Sequence, residues 1–133
     1  MAGHSEDMGR NSHHPLVLVV EDEPFVRMIA AEGLEDAGFE VIEAATADDA
    51  LKILNARNDV GVLFTDVNMP GSVDGVELAR MVHERWPALR IIITSGRDRP
   101  GLGDIPDDGR FVAKPYRPGE VVHAIEQLIT DAA

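Results

Sequence analysis

Four short apolar runs in this chain each stop at a side chain that can do chemistry. Leu16-Val17-Leu18-Val19-Val20 runs into Glu21 and Asp22. Val60-Gly61-Val62-Leu63-Phe64-Thr65 runs into Asp66, Ile91-Ile92-Ile93 into Thr94, and Phe111-Val112-Ala113 into Lys114. Runs this short with little alternation read as strands whose two sheet faces are both covered. Together their ends offer three carboxylates, a hydroxyl and an ammonium. Such a set suits a divalent cation and a phosphoryl group.

Helical text separates most of these runs. Residues 24–37 place Val26, Ile29, Ala30, Gly33 and Ala37 on one predicted face, and Gly38 is a natural stop. A further strand is expected at 39–43. Thr46 with Asp49 three residues on resembles a capping box, ahead of a stripe of Ala47, Ala50, Leu51 and Leu54. A helix over 75–86 presents Leu78, Ala79 and Val82, with Pro87 behind it. The last helix, about 117–130, presents Val121, Val122, Ile125, Leu128 and Ile129. The remaining strands fall at 60–65, 90–94 and 110–113. Strand and helix in alternation predict a doubly wound α/β domain with a five-stranded parallel sheet. Ligands in such sheets bind beyond the carboxyl ends of the strands, where every polar group named above stands.

Composition narrows the class. The 133 residues suit one domain with one core. No apolar run is long enough to cross a bilayer, and residues 1–15 lack a signal-peptide stretch. Those residues, with His4, His13 and His14, read as a flexible tail before a domain over 16–131, with no output domain. There is no cysteine, so neither a disulfide framework nor thiol chemistry is available, and a cytoplasmic location is expected. The formal charge of −12 argues against a nucleic-acid partner.

Glu21, Asp22 and Asp66 would crowd like charges and raise one another's pKa. A hard divalent cation relieves that repulsion, and all-oxygen ligands suit Mg²⁺. The plainer reading is that strand-end acids cap the following helices, as Asp22 before Glu23-Pro24 could do. That reading leaves Lys114 and Thr94 unexplained. With a phosphoryl group present, Asp66 can act as nucleophile and form an acyl phosphate. Lys114 and the cation would offset charge on the phosphoryl oxygens, and Thr94 would hydrogen-bond one of them.

From Leu16 to about Thr130 the chain resembles a receiver domain of two-component response regulators, of the stand-alone single-domain type. Four pieces of text carry the likeness: Val19-Val20-Glu21-Asp22-Glu23, Thr65-Asp66-Val67-Asn68-Met69-Pro70, Ile93-Thr94-Ser95-Gly96, and Phe111-Val112-Ala113-Lys114-Pro115-Tyr116. The resemblance implies the flavodoxin-like strand order 2-1-3-4-5, for which a member of this family is a standard example. It implies Asp66 as phospho-acceptor. Mg²⁺ would be held by Asp22, Asp66 and the backbone carbonyl of Asn68, with Glu21 reaching it through water. Lys114, Thr94 and Ser95 would bind the phosphoryl group, and Lys114-Pro115 would be a cis peptide. Thr94 and Phe111 would form the switch pair, in which the aromatic ring follows the hydroxyl. The partners implied are a sensor histidine kinase and a histidine phosphotransfer protein, with the downstream partner unnamed and neither nucleic acid nor membrane involved.

One segment departs from the family pattern. Residues 96–110 hold two prolines and four glycines and show no apolar stripe. Summed propensity predicts a fourth helix that is short or missing, with 97–109 mobile. Gly96 is expected to leave the site open to water.

Two other functions compete with a signalling switch. An aspartyl-phosphate phosphatase of the haloacid-dehalogenase type would need an acid where Asn68 stands, and a larger chain with a cap. A binding module with a degenerate receiver fold would normally have lost the acceptor or an acid, whereas Glu21, Asp22, Asp66, Thr94 and Lys114 are all present. The expected protein is not a turnover enzyme; it catalyses only its own phosphorylation and dephosphorylation.

Overall fold

A computed structural model describes residues 15–67, 74–96 and 109–132, the last stretch with side chains to residue 129. Five strands form one parallel sheet: β1 (Leu16–Val20), β2 (Glu40–Ala44), β3 (Val60–Asp66), β4 (Arg90–Ser95) and β5 (Arg110–Ala113), in the order β2-β1-β3-β4-β5. This is the expected flavodoxin-like order. The four helices among the described residues are α1 (Pro24–Asp36), α2 (Ala47–Ala56), α3 (Gly75–Arg85) and α4 (Pro118–Ala132). The tail through residue 14, Asn68 and the reduced fourth helix expected from residue 97 onward to 108 lie outside the described residues.

Each helix starts and stops for a local reason. Pro24 opens α1, where its missing N–H costs nothing. Gly38, at φ 99°, ends it; its N–H bonds the carbonyl of Glu35 at 2.9 Å while Phe39 N–H reaches Leu34 at 3.0 Å. Thr46 caps α2 by accepting from Asp49 N–H at 3.1 Å, and Asp74 caps α3 by accepting from Glu77 N–H at 2.9 Å.

Period-two geometry sorts the strand side chains into two layers. Val17, Val19, Phe64, Ile92 and Val112 face α1 and α4. Leu18, Val20, Leu63, Ile91 and Ile93 face α2 and α3. Fully burying a Leu, Ile or Phe contributes about 1.5–3 kcal/mol. The central strands β1, β3 and β4 are buried almost throughout, so they carry the fold, and the edge strands β2 and β5 are half-covered.

Two local expectations need correction. The buried face of α1 is Ala30, Ala31 and Leu34, not the face through Ile29 and Ala37. Ile29 is 49% exposed, as are Phe25 at 75% and Met28 at 43%. Apolar residues recur on both sides of this helix, so spacing alone did not choose between them; Leu34, fully buried, decides the orientation. The second strand is displaced by one residue, with Phe39 serving as a core residue ahead of it.

Candidate functional site

The period that sorts the core also builds the site. Continuing each strand by two residues from Val19, Phe64, Ile92 and Val112 gives Glu21, Asp66, Thr94 and Lys114. All four therefore leave the sheet on the side of α1 and α4. Asp66 and Thr94 are partners in the β3–β4 ladder, and Thr94 pairs with Val112. The ladder continues past the strand ends: Val67 N–H bonds Thr94 O at 2.9 Å, Glu21 N–H bonds Ala44 O at 3.0 Å, and Lys114 N–H bonds Ser95 O at 3.0 Å. Backbone hydrogen bonds thus fix where the functional side chains start.

Lys114 Nζ stands between two acids. It donates to Asp66 Oδ2 at 2.9 Å and lies 2.8 Å from Glu21 Oε1. The second contact is an ion pair without hydrogen-bond alignment, so Oε1 keeps no directed partner. Glu21 Oε2 accepts from Glu23 N–H at 3.2 Å. Glu21 is 2% exposed and Asp66 5%. Burial raises the Glu21 pKa more than Lys114 lowers it, and the charge of Asp66 raises it further. Burial alone would lower Lys114; the two carboxylates beside it, Glu21 and Asp66, outweigh this and hold the ammonium above its ordinary range. The Lys114–Pro115 peptide bond is cis, as expected.

Glu21, Asp22 and Asp66 each bring a carboxylate oxygen to within 4.8 Å of the others. Three carboxylates against one ammonium leave an excess of two negative charges, which matches a divalent cation. The all-oxygen donor set fits Mg²⁺. Helix capping does not account for Asp22, because no side chain caps the start of α1. Thr94 and Ser95 are 1% and 3% exposed, and neither hydroxyl has a hydrogen-bond partner among the described residues. Phe111 packs partly buried against the layer under α2 and α3.

A family model for the response regulator receiver domain matches residues 17–126. The chain belongs to the response regulator receiver family. The receiver is 31% identical over 119 residues to the response regulator receiver protein CpdR of Brucella abortus, covering 87% of this chain and 98% of that protein. It is likewise 31% identical to the sensor kinase CckA of Brucella abortus, over 85% of this chain but 12% of that longer protein. Among solved structures, a response regulator receiver protein from Sinorhizobium medicae superposes with a TM-score of 0.78 at 25% identity, covering 88% of this chain and 95% of that one. The receiver has no helix, among the described residues, long and apolar enough to cross a membrane.

Three residues of this receiver site are absent from the sequence-based set. Arg27 Nη1 donates to the backbone carbonyl of Glu21 at 2.8 Å, and its Nε donates to Glu43 Oε1 at 3.1 Å. It ties the acidic loop to β2. A basic residue beside Glu21-Asp22-Glu23 is a signal, but i to i+6 spacing does not announce a backbone contact. Gly75 N–H bonds Val67 O at 2.9 Å and seats α3 against the end of β3. Tyr116 lies two residues beyond Lys114, with its hydroxyl buried.

Proposed function

We propose that this receiver is a phosphorylation-dependent signalling switch that accepts a phosphoryl group on Asp66 from a histidine kinase. The observation that carries this is the placement of Asp66: a carboxylate 5% exposed at the end of β3, hydrogen-bonded to Lys114 and clustered with two further acids.

An Asp66 carboxylate oxygen attacks the phosphorus of a phosphohistidine. The phosphorus–nitrogen bond breaks, its electron pair stays on the imidazole, and an acyl phosphate forms on Asp66. Asp22 and Asp66, with Asn68 outside the described residues and Glu21 through water, would hold Mg²⁺, which would supply charge neutralisation for the phosphoryl oxygens. Lys114, already 2.9 Å from Asp66, moves its ammonium onto a phosphoryl oxygen. The unpartnered hydroxyls of Thr94 and Ser95 offer donors to others. The chain's own contribution is positioning and electrostatics.

Thr94 is drawn toward the phosphoryl group, and the Phe111 ring, packed in the layer under α2 and α3, repacks in response. This shifts a two-state equilibrium that a partner protein reads, or the phosphoryl group passes on to a histidine phosphotransfer protein. Water attack on the acyl phosphate resets the switch. The protein acts on no separate substrate; it promotes only its own phosphorylation and dephosphorylation.

The test is incubation with Mg²⁺ and acetyl phosphate followed by intact-mass measurement. Wild type should gain one phosphoryl group and Asp66→Ala none. An unchanged wild-type mass, with Mg²⁺ shown to bind, overturns the switch in favour of a phosphate-independent binding module. Steady release of phosphate from small phosphomonoesters would instead favour a phosphatase.

A further inference from the structure

Lys114 serves Glu21 and Asp66 with one ammonium group. A phosphoryl group on Asp66 adds oxygens that compete for it. When Lys114 turns to them, Glu21, 2% exposed, loses its direct ion pair on Oε1, while Oε2 keeps the Glu23 N–H. A buried carboxylate oxygen left without a donor is costly.

An unpartnered donor lies on the same side of the sheet. Tyr116, just past the cis Lys114–Pro115 bond, packs against the layer under α1 and α4. Its ring meets Phe64 edge-on, with centroids 5.5 Å apart and planes at 76°. Phe64 precedes Asp66 by two residues on that same side, so the ring lies beneath the floor of the site. The Tyr116 hydroxyl is buried and has no hydrogen-bond partner among the described residues. A buried tyrosine hydroxyl ordinarily finds one. Glu21 Oε1 is the buried acceptor on that side without a directed bond. After burial itself, the Glu21 carboxylate is the strongest influence on the phenol. The other two unpartnered buried oxygens belong to Thr94 and Ser95, already assigned to the phosphoryl group.

We infer that Tyr116 is a positioning residue: its hydroxyl donates to the Glu21 carboxylate when Lys114 leaves that carboxylate for the phosphoryl group. Glu21 is then held in place while the ammonium is engaged elsewhere. The trigger rests on Asp66 being the acceptor; the Tyr116–Glu21 pairing does not. A phenylalanine at 116 would keep the packing and lose the donor.

The chain has one tyrosine, so tyrosine labelled with ¹³C at Cζ gives a single resonance that reports its hydroxyl. Lys114→Met removes the competing ammonium without any phosphate. Its Tyr116 resonance should move away from the wild-type position, and the move should vanish in Lys114→Met/Glu21→Met. Lys114→Gln serves as the second variant if the first does not fold. In wild type, Mg²⁺ with acetyl phosphate should reproduce the move. Tyr116→Phe should slow phosphorylation at saturating acetyl phosphate roughly tenfold with KM unchanged, the loss of one charge-assisted hydrogen bond. A resonance that stays put in the Lys114 variants, or moves equally without Glu21, overturns the pairing. A wild-type mass that never increases overturns the phosphoryl-acceptor reading instead, and the Lys114 variants still decide the pairing.

Discussion

Gly75, the first residue of α3, lies so close to the backbone carbonyl of Asp66 that a β carbon there would collide with it. The helix can approach the acceptor only because that side chain is hydrogen. Gly75→Ala should therefore cost about 1–3 kcal/mol by overpacking, read from urea unfolding. It should also slow phosphorylation by acetyl phosphate by up to about a hundredfold, because the end of β3 must give way and Asp66 with it.

A second glycine sets the spacing of α1 and α4. A β carbon on Gly33 would overlap Cβ of Pro118. Replacing a mid-helix glycine with alanine ordinarily gains about 1 kcal/mol. The overlap costs about 1–3 kcal/mol, and the rigid ring cannot swing aside, so Gly33→Ala should lower stability on balance. Pro118→Gly in the same chain should restore most of that loss, and the non-additivity measures the contact.

Lys114 competes with a metal for the same oxygens. Lys114→Met should bind Mg²⁺ more tightly by calorimetry while losing phosphorylation. Without Mg²⁺ it should be less stable by about 1–3 kcal/mol at neutral pH, since two buried carboxylates lose their cation. Saturating Mg²⁺ should raise the melting temperature of wild type and of Lys114→Met, EDTA should reverse this, and Asp22→Asn should weaken it.

Alkali should unfold the protein through the site. The Tyr116 pKa is pushed up from 10.0 to about 12, chiefly by burial. Between those values the unfolded chain releases a proton that the folded chain keeps, so stability falls as pH rises. Lys114 is also raised, and its contribution, present below 10.5, is lost in the same direction as pH passes its folded value. Glu21 is raised above 4.5, so its contribution is greatest in acid and is lost as pH rises through the folded value, opposite to a typical paired carboxylate. Urea midpoints measured from pH 9 to 12 should fall less steeply for Tyr116→Phe than for wild type.

Gly96 is exposed, and a β carbon there would rest 3.5 Å from Lys114 Cβ, an ordinary contact. Gly96→Met is therefore tolerated and covers the lysine stem. It should lengthen the lifetime of phosphorylated Asp66 several-fold by hindering water, measured by the decay of the mass increase; an unchanged lifetime would show that water reaches Asp66 by another route.

The strands and their ends were legible because apolar runs and chemically active ends coincide. Parity made the site legible too: counting in twos from the buried Val19, Phe64, Ile92 and Val112 lands on Glu21, Asp66, Thr94 and Lys114. The orientation of α1 was not legible, since Phe25, Met28 and Ile29 are as apolar as the residues it buries. Nor were the roles of Arg27 and Gly75, which act through backbone carbonyls that carry no residue-type signature. Tyr116 closes the last family-like stretch, Phe111-Val112-Ala113-Lys114-Pro115-Tyr116, but an unsatisfied hydroxyl is visible only in three dimensions.

The chain's one tryptophan, Trp86, follows α3 at the opposite end of the sheet from the acids, with the Arg85 guanidinium stacked 4.6 Å from its ring centre. Its emission will follow global unfolding without interference from events at Asp66. A change in that light on phosphorylation would mean that the rearrangement had crossed the whole length of the sheet to the far pole.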